Sequence, residues 1–308
     1  MECSRRTALK AITAGLALSP LHAATDTGHT RLILLGTAGG PRPRKSRSGS
    51  AQAIVSGGVI YVVDCGYGVT RQIVFAGLPL KQLRHVFITH HHSDHDIELG
   101  PLLQLAWLSG LTTPVDCWGP PTMDRMVDAY IQYEGYDIAI RQTDENRPDF
   151  RSLVRTHELS GAGQVLSDKL MRVTAAKVVH PPIDLALAYR FDAPDRSIVI
   201  SGDTRPSESL IALAKGADVL VHEAMMPDRV PQMVGSLPNA AALARSVVSH
   251  HTSAEQAGQV AAAAGVKMLV LSHLVPAGDP DVPDEEWLAA ARRHFGGPIV
   301  VGRDLMEI

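Results

Sequence analysis

The 308-residue chain predicts an α/β fold in which two mixed β-sheets pack face to face with helices on their outer faces, an αββα sandwich. Three observations predict it. Short apolar strands lead into helices in both halves of the sequence. The polar stretch at residues 142–148 is shorter than a typical interdomain linker, which favours one domain. Ligand-type side chains directly follow several strands, as expected for functional loops at one edge of a sandwich.

The first half of the chain opens as sheet. An apolar strand over residues 31–36 runs into the glycine-rich turn at 37–40, and residues 51–55 and 59–63 predict a hairpin around Ser56-Gly57-Gly58. Helical spacing follows over 69–76, and Val86-Phe87-Ile88 predicts a buried strand. A helix over 99–108, a strand over 115–118 and a helix over 121–130 with proline in its first turn complete this half.

The second half repeats the mixture of strands and helices. Apolar or alternating runs predict strands over residues 171–179, 185–191, 197–200, 219–222 and 268–272. Helices are predicted over 206–215 and over the alanine-rich residues 253–264. Both halves therefore supply strands for a sheet and helices to cover it.

Residues 1–24 differ in kind from the rest of the chain. Arg5 and Arg6 precede a small, weakly hydrophobic segment and an alanine-rich stretch, a pattern typical of a secretory signal of the twin-arginine type. We therefore predict a signal peptide over 1–24, a single domain over 25–308, and a periplasmic or secreted location. The other apolar runs are too short or too interrupted to span a bilayer, so no membrane span is expected in the mature chain.

Charge and cysteine content set further expectations. The chain has 29 basic and 32 acidic side chains, and removal of residues 1–24 would leave a net charge of −5. Such a charge offers no general attraction to nucleic acid. Cys65 and Cys117 are too few for a disulfide framework and are predicted to be small core residues, although one bridge between them stays open.

The most specific motif is Thr-His-His-His-Ser-Asp-His at residues 89–95. His90 and His92 alternate along the chain and can converge on one cation, while Asp94 and His95 can reach a second. Neutral imidazole and carboxylate are ligands that zinc accepts, and a catalytic zinc keeps one position open for water. His91 points the opposite way in an extended segment, so we expect it to pack or to support the others.

Three more ligand-type side chains, His180, Asp203 and His273, follow apolar strands. One such residue alone is a weak signal, because most polar groups at strand ends are simply hydrogen-bonded. With the motif, however, they complete a pair of sites for two divalent metal ions, with zinc favoured and iron or manganese left open. The first would use His90, His92 and His180, the second Asp94, His95 and His273, and Asp203 would lie between them.

These residues resemble the metallo-β-lactamase fold superfamily of binuclear metallohydrolases, from about residue 31 to the C-terminus. The resemblance is carried by residues 35–40, Val63-Asp64-Cys65-Gly66, the 89–95 motif, His180, Gly202-Asp203-Thr204, His222-Glu223-Ala224, His251-Thr252-Ser253 and Leu271-Ser272-His273. Glu223 and His251 with their neighbours look like the branch that contains transfer-RNA 3′-processing endonucleases of the ribonuclease Z type, arylsulfatases of this fold and phosphodiesterases.

The resemblance also implies roles. A metal-bridging hydroxide would be the nucleophile and Asp94 would orient it. His251 would donate to the leaving oxygen, with Glu223 fixing its tautomer. Asp203 argues against β-lactam cleavage, because the true β-lactamases of this fold lack that residue.

The branch members differ in what they bind. The endonucleases have a long arm between the positions of His180 and Asp203 to grip transfer RNA, whereas one strand pair is expected here. Residues 107–121 look closest to exported arylsulfatase-like members. Where the family often has glycine, this chain has Glu98. The short connection between His180 and Asp203, the acidic mature chain and the export signal together argue against nucleic acid as a partner.

We therefore predict an exported dinuclear metal hydrolase of ester bonds that acts on a small anionic sulfate or phosphate ester. The alternatives are a lactonase or other carboxylic ester hydrolase on the same metals and, less favoured, a non-catalytic metal-binding protein. The basic run at residues 42–47 is interpreted as a solvated loop, with anion binding as its alternative. Because relatives of this fold often dimerise, a homodimer is also among the expected states.

Overall fold

The computed structural model describes residues 28–278 and 282–308. Among these residues, fourteen strands and ten α-helices form the predicted αββα sandwich, so the fold class is confirmed. The predicted signal peptide at 1–24 lies outside the described residues. No helix of the described part is both long enough and apolar enough to cross a bilayer.

The first sheet contains seven strands, which are β1 (Arg31–Gly36), β2 (Ala51–Ser56), β3 (Val59–Val63), β4 (Leu83–Phe87), β5 (Val115–Gly119), β6 (Val154–Glu158) and β14 (Met306–Glu307). Their order across the sheet is β14-β1-β2-β3-β4-β5-β6. The pairs from β14 to β3 are antiparallel and those from β3 to β6 are parallel. Since parallel strands end at the same edge, the segments that follow β3 and β4 lie side by side.

The second sheet has a matching design. Its strands are β7 (Gly163–Ser167), β8 (Arg172–Val178), β9 (Ala186–Asp192), β10 (Ser197–Ile200), β11 (Val219–Met225), β12 (Met268–Val275) and β13 (Ile299–Val301), in the order β13-β12-β11-β10-β9-β8-β7. The pairs from β10 to β13 are parallel and those from β7 to β10 are antiparallel. The parallel half again gathers several strand ends at one edge.

Ten helices cover the sheets or connect their strands. They are α1 (Val69–Phe75), α2 (Ser93–Asp96), α3 (Leu99–Leu108), α4 (Met123–Tyr133), α5 (Gly135–Asp144), α6 (Glu208–Ala214), α7 (Val230–Val234), α8 (Ala240–His250), α9 (Ala254–Ala264) and α10 (Asp284–Arg292). Single 3₁₀ turns occupy Leu80–Gln82, Arg151–Leu153 and Pro227–Arg229. Helices α1, α3 and α4 share an apolar layer with the first sheet, and α6, α9 and α10 share one with the second.

A third apolar layer joins the two sheets. Phe87 of β4 meets Tyr189 and Phe191 of β9 edge to face, at ring-centroid distances of 5.4 and 5.1 Å. All three side chains are fully buried, and each such burial contributes about 1.5–3 kcal/mol. This layer fixes the two sheets relative to each other and so positions the loops at their shared edge.

Most predicted elements form near their predicted ends, with informative differences. Helix α5 extends into the polar stretch at residues 142–148, because Asp137 and Arg141 of the helix and Glu145 at its C-terminal cap pair at helical spacing. Strands β11 and β12 extend beyond their predicted ends and include Glu223 and His273. Cys65 and Cys117 are both buried and free, so the bridge that was left open does not form.

Candidate metal centre

The 89–95 motif begins where β4 ends, and a buried carboxylate holds it in place. Thr89 donates to Asp64 through its backbone N–H at 2.8 Å and through its hydroxyl at 3.0 Å. Asp64 Oδ2 lies 2.7 Å from Nδ1 of His95, which directs the other ring nitrogen, Nε2, away from it. Sequence reasoning gave Asp64 no role in the site. Asp64 directly follows a buried strand and has a left-handed φ of 61°, which is uncommon outside glycine. An aspartate at such a strand end was the signal in the sequence that could have indicated its support of Thr89 and His95.

Asp203 follows β10 through Gly202, which has a φ of +58°. A Cβ at Gly202 would lie 2.8 Å from the Leu187 carbonyl oxygen and 2.9 Å from Thr89 Cβ. Glycine is therefore required twice here, for the backbone conformation and for the close approach of the two sheets. This turn brings the Asp203 carboxylate, which is 2% exposed as a residue, to the middle of the histidines.

His273 lies in a β-bulge and not after the end of its strand. Glu223 pairs with Ser272 and the next residue, Ala224, pairs with Leu274, so His273 is the extra residue. It adopts a φ of 43°, which is uncommon for a residue with a side chain. Bulges redirect side chains, and this one points the His273 ring towards Asp94 and Asp203.

Four side chains form a first cluster, His90, His92, His180 and Asp203. Nδ1 of His92 lies 3.0 Å from Nε2 of His90 and 3.2 Å from Nε2 of His180. Oδ2 of Asp203 is 3.9 Å from His90 and 3.8 Å from His180. The opposite nitrogens of His90 and His180 are held by the Thr89 hydroxyl and the His250 carbonyl, at 3.0 and 3.2 Å.

The second cluster comprises Asp94, His95, Asp203 and His273. Oδ1 of Asp203 lies 3.3 Å from Nε2 of both His95 and His273. Asp94 Oδ2 lies 3.3 Å from Nε2 of His273 and 3.6 Å from Nε2 of His95. The two oxygens of Asp203 thus face different clusters, so this carboxylate joins them.

Both clusters fit divalent cations. His95 Nε2 and Asp203 Oδ1 are buried and have no hydrogen-bond partner among the described residues, although unpaired buried polar atoms are costly. Burial lowers the pKa of His180 to about 4, which keeps its ring neutral, as metal binding requires. Burial would raise the pKa of Asp94, but the neighbouring His95 and His273 outweigh it and lower that pKa to about 2. Imidazoles and ionised carboxylates in one buried place are a metal-binding donor set, because a bound cation replaces the protons that the neighbouring carboxylates favour on His95 and His273.

A third group lies beside the clusters. His251 Nδ1 lies 2.8 Å from Glu223 Oε2, and the Thr204 backbone N–H donates to Glu223 Oε1 at 2.5 Å. Burial lowers the pKa of His251, but the charges of Glu223 and Asp203 outweigh it and raise that pKa to about 9. His251 Nε2 has no hydrogen-bond partner within the described part of the chain. This ring can therefore donate a proton or hydrogen bond towards the cavity.

An open cavity of about 500 Å³ gives access to these groups. His92, Asp94, His180, Asp203, His251 and His273 all line it. His250, which directly precedes His251 in the sequence, lines it as well. His91 does not: its ring bonds to Asp96 and to the carbonyls of Pro120 and Pro121, so it supports the loop as expected.

The fold and the clusters define a class, that of metal-binding hydrolases with an αββα sandwich. A sequence model described as "Beta-lactamase superfamily domain" matches residues 60–274. Ribonuclease Z of Mycobacterium bovis is 33% identical over 280 residues, which cover 90% of this chain and 97% of that protein. The chain therefore belongs to the metallo-β-lactamase fold superfamily.

Solved structures agree on the fold. The metallo-beta-lactamase fold protein YhfI of Bacillus subtilis matches with a TM-score of 0.65 at 20% identity and covers 91% of this chain and 98% of its own. The short form of human tRNase Z matches with a TM-score of 0.65 at 20% identity, over 90% of this chain and 98% of its own. At these identities the match concerns the fold alone.

Two sequence predictions are wrong in the light of these relatives. The expectation of no nucleic acid conflicts with relatives named ribonuclease Z. It relied on the short connection between His180 and Asp203, on the export signal and on the acidic net charge. A net charge averages over the whole surface and says nothing about basic groups beside a site. The predicted periplasmic or secreted location is contradicted too, because the sequence relatives are named ribonuclease Z and the RNA in that name is found inside the cell.

Proposed function

We propose that this chain is a dinuclear metal-dependent phosphodiester hydrolase and that RNA phosphodiesters are the first substrate class to test. The observation that carries the proposal is the Glu223–His251 pair, which lies against a carboxylate shared by two metal-type clusters. A merely structural metal site needs no proton donor beside it. The names of the sequence relatives favour a phosphodiester over a sulfate ester.

Each cluster would hold one divalent ion. His90, His92 and His180 would bind the first, Asp94, His95 and His273 the second, and Asp203 both. Bound there, such ions supply Lewis acidity and lower the pKa of water to about 7, which provides a nucleophile at neutral pH. The identity of the ions is open, because imidazole and carboxylate serve zinc, iron and manganese alike.

Asp94 is the residue we propose to orient the attacking water. Its Oδ2 is shared between His95 and His273, and its pKa of about 2 keeps it ionised and able only to accept hydrogen bonds. A carboxylate that accepts from water fixes the direction of the remaining lone pair. Asp94 would therefore serve both as a ligand and as a positioning group.

His251 is the residue we propose to assist the leaving group. Glu223 accepts from Nδ1, which leaves Nε2 as the nitrogen that faces the cavity. A protonated Nε2 can donate to the departing oxygen and lower the cost of its negative charge. The backbone N–H of Thr204 donates to the other oxygen of Glu223, so the carboxylate that orients the His251 ring is itself held in place.

The test is a panel of esters assayed on metal-analysed protein. We expect cleavage of bis(4-nitrophenyl) phosphate and of a transfer RNA with a 3′ trailer, with little cleavage of 4-nitrophenyl phosphate or 4-nitrophenyl sulfate. His251→Ala should reduce RNA cleavage more than nitrophenyl ester cleavage, since nitrophenolate needs less protonation. Activity confined to a lactone or to the sulfate would overturn the proposal. His157→Ala, which removes a surface histidine paired with Asp116, is the matched control.

A single hydrolase domain over residues 25–308 is part of the same proposal. Each of the two metal-type clusters combines residues that follow β4 of the first sheet with residues from the second sheet. Neither sheet alone would hold a complete cluster.

A further inference from the structure

The cavity above the metal centre has two unlike walls. One is the loop after β1, which contributes Arg42 and Arg44. The other is formed by α7, α8 and the segment between them, with apolar side chains from Met233, Val234, Leu237, Leu243 and Val247. The metal-type clusters lie between the walls, so a bound substrate would contact both.

The arginines of the basic run have different roles. Arg47 is buried and donates to the Thr37 hydroxyl and the Gly302 carbonyl, which makes it a support of the loop. Arg42 donates to the Met233 carbonyl and so ties the loop to α7. Arg44 lines the cavity, and no carboxylate pairs with it among the residues that the structure describes. Its buried Nε has no hydrogen-bond partner there either.

An arginine in that position favours an anion. A guanidinium presents five donors and matches the geometry of phosphate oxygens. Arg44 lines the same cavity as the metal-type clusters, so it offers a binding position for a second negative group beside the reacting one. A substrate with a single phosphodiester would leave this position unused.

The opposite wall is apolar but not uniformly so. Leu243, Ser246, Val247 and His250 recur at helical spacing on α8 and all line the cavity. None of the α8 residues is fully buried, so this face remains available. Asn239, Ser246 and His250 place polar atoms among the apolar ones. Ser246 Oγ lies 3.2 Å from His250 Nδ1, so these two atoms pair with each other and leave the Asn239 amide and His250 Nε2 for a ligand. An alkyl chain offers those two groups no partner, whereas a nucleobase has polar edges that can pair with them.

We propose that this cavity is a nucleotide subsite, in which the nucleoside next to the scissile phosphodiester lies against α7 and α8 and a second phosphate of the same substrate binds Arg44. The inference rests on the proposed phosphodiester hydrolysis and specifies its substrate. A cavity of about 500 Å³ lies in the range that binds small ligands, which suits one nucleotide unit and leaves the rest of a longer chain outside.

Four esters with one leaving group test the subsite. They are methyl 4-nitrophenyl phosphate, hexyl 4-nitrophenyl phosphate, thymidine 5′-(4-nitrophenyl phosphate) and the same thymidine ester with a 3′-phosphate. We expect KM to fall from the methyl ester to the thymidine ester and again with the 3′-phosphate. A hexyl ester with KM as low as the thymidine ester would overturn the nucleoside assignment.

Two variants separate the walls. Arg44→Gln should raise KM for the 3′-phosphate ester by about 10-fold more than it raises KM for the plain thymidine ester, with Arg44→Lys intermediate. Leu243→Asn should raise KM for both thymidine esters by about 5-fold and spare the methyl ester. The controls are Arg71→Gln on α1 and Val248→Asn on the exposed side of α8, both outside the cavity.

Binding provides a second readout that does not need turnover. Calorimetric titration with thymidine 3′,5′-bisphosphate should give a Kd about 10-fold weaker for Arg44→Gln than for the unmodified protein. Equal KM for all four cleaved esters, or an unchanged Kd in Arg44→Gln, would overturn the subsite while the phosphodiesterase stands. If none of the four esters is cleaved, the proposed function itself is overturned.

Discussion

The two halves of the metal centre are built in different ways. In the first sheet, four ligand-type side chains come from one stretch of six residues, His90 to His95, behind which a single carboxylate, Asp64, orients His95. In the second sheet, His180, Asp203 and His273 come from three different strands or the residues after them. Asp203 depends on the turn at Gly202 and His273 on the bulge in β12. A contiguous motif is visible in any sequence, whereas a dispersed set is recognisable only when the topology that gathers it is known.

The largest effect is expected where the two halves meet. Asp203→Asn keeps the shape of the side chain but removes the charge that faces both clusters. We expect bound metal to fall from two ions to at most one per chain and kcat/KM to fall more than about 100-fold. Such a loss exceeds the one expected for a residue that only hydrogen-bonds to a metal ligand. Metal analysis after dialysis, with steady-state kinetics, measures both. Asp144→Asn at an exposed helix end is the control, and a variant that retains two ions would show that Asp203 does not bridge.

A smaller effect should separate the two halves. Asp64→Asn weakens the orientation of His95, and an outer carboxylate of this kind is worth about 10–100-fold in metal affinity. The second half has no equivalent, since His180 is oriented by a backbone carbonyl. Competition with a chelator should therefore show one weakened ion and one of normal affinity. Asp116→Asn is the control. It breaks the Asp116–His157 pair, which has the same length and lies nearer the surface, and it should leave the affinity for both ions unchanged.

The next effect concerns pH. His222 is completely buried in β11, its Nδ1 faces the Glu223 carbonyl, and burial lowers its pKa to about 4. The unfolded chain takes up a proton near pH 6.5 and the folded chain does not, so stability is lost as pH falls from 6.5 towards 4. At pH 5 this loss is about 2 kcal/mol.

Urea unfolding at pH 7.5 and pH 5 measures this loss in the free energy of unfolding. His222→Asn, whose amide can still reach the Glu223 carbonyl, should show a pH dependence smaller by about 2 kcal/mol. An identical pH dependence in both proteins would mean that His222 is charged in the folded state. The same comparison of His294→Asn, an exposed histidine, controls for surface titration.

The smallest effect concerns the helix that follows His251. Ser253 caps α9 in a capping box with Gln256, and its replacement by alanine should cost about 1 kcal/mol. Thermal unfolding should show a modestly lower Tm with KM unchanged. Ser249→Ala on α8, whose exposed hydroxyl bonds only to the Ser246 carbonyl of the same helix, is the comparison. A fall in kcat for Ser253→Ala alone would show that this cap also positions His251.

The sequence predicted the sandwich well because its strands are apolar and its turns contain glycine. It also named every member of the two clusters, because each follows an apolar run. It missed Asp64 and misplaced the end of β12, since neither a tertiary hydrogen bond nor a bulge is visible in a local pattern. The strands β6 and β7 and the helices α7 and α8, which have few fully buried residues, were not predicted.

The substrate-facing surface was also beyond the sequence. The six residues from Arg42 to Arg47 form one basic run, and only the structure separates the buried support Arg47 from the cavity-lining Arg44. Net charge, one of the grounds for expecting no nucleic acid, could not show this difference, because it averages over the whole chain.

The central claim is that Asp203 joins two metal ions in one hydrolytic centre. Anomalous diffraction at the zinc edge, from crystals of the zinc-loaded protein, tests it most directly. We expect two anomalous peaks in each chain, one beside each oxygen of Asp203. The first should be surrounded by His90, His92 and His180, and the second by Asp94, His95 and His273. A single peak, or two peaks of which one lies away from Asp203, would contradict it.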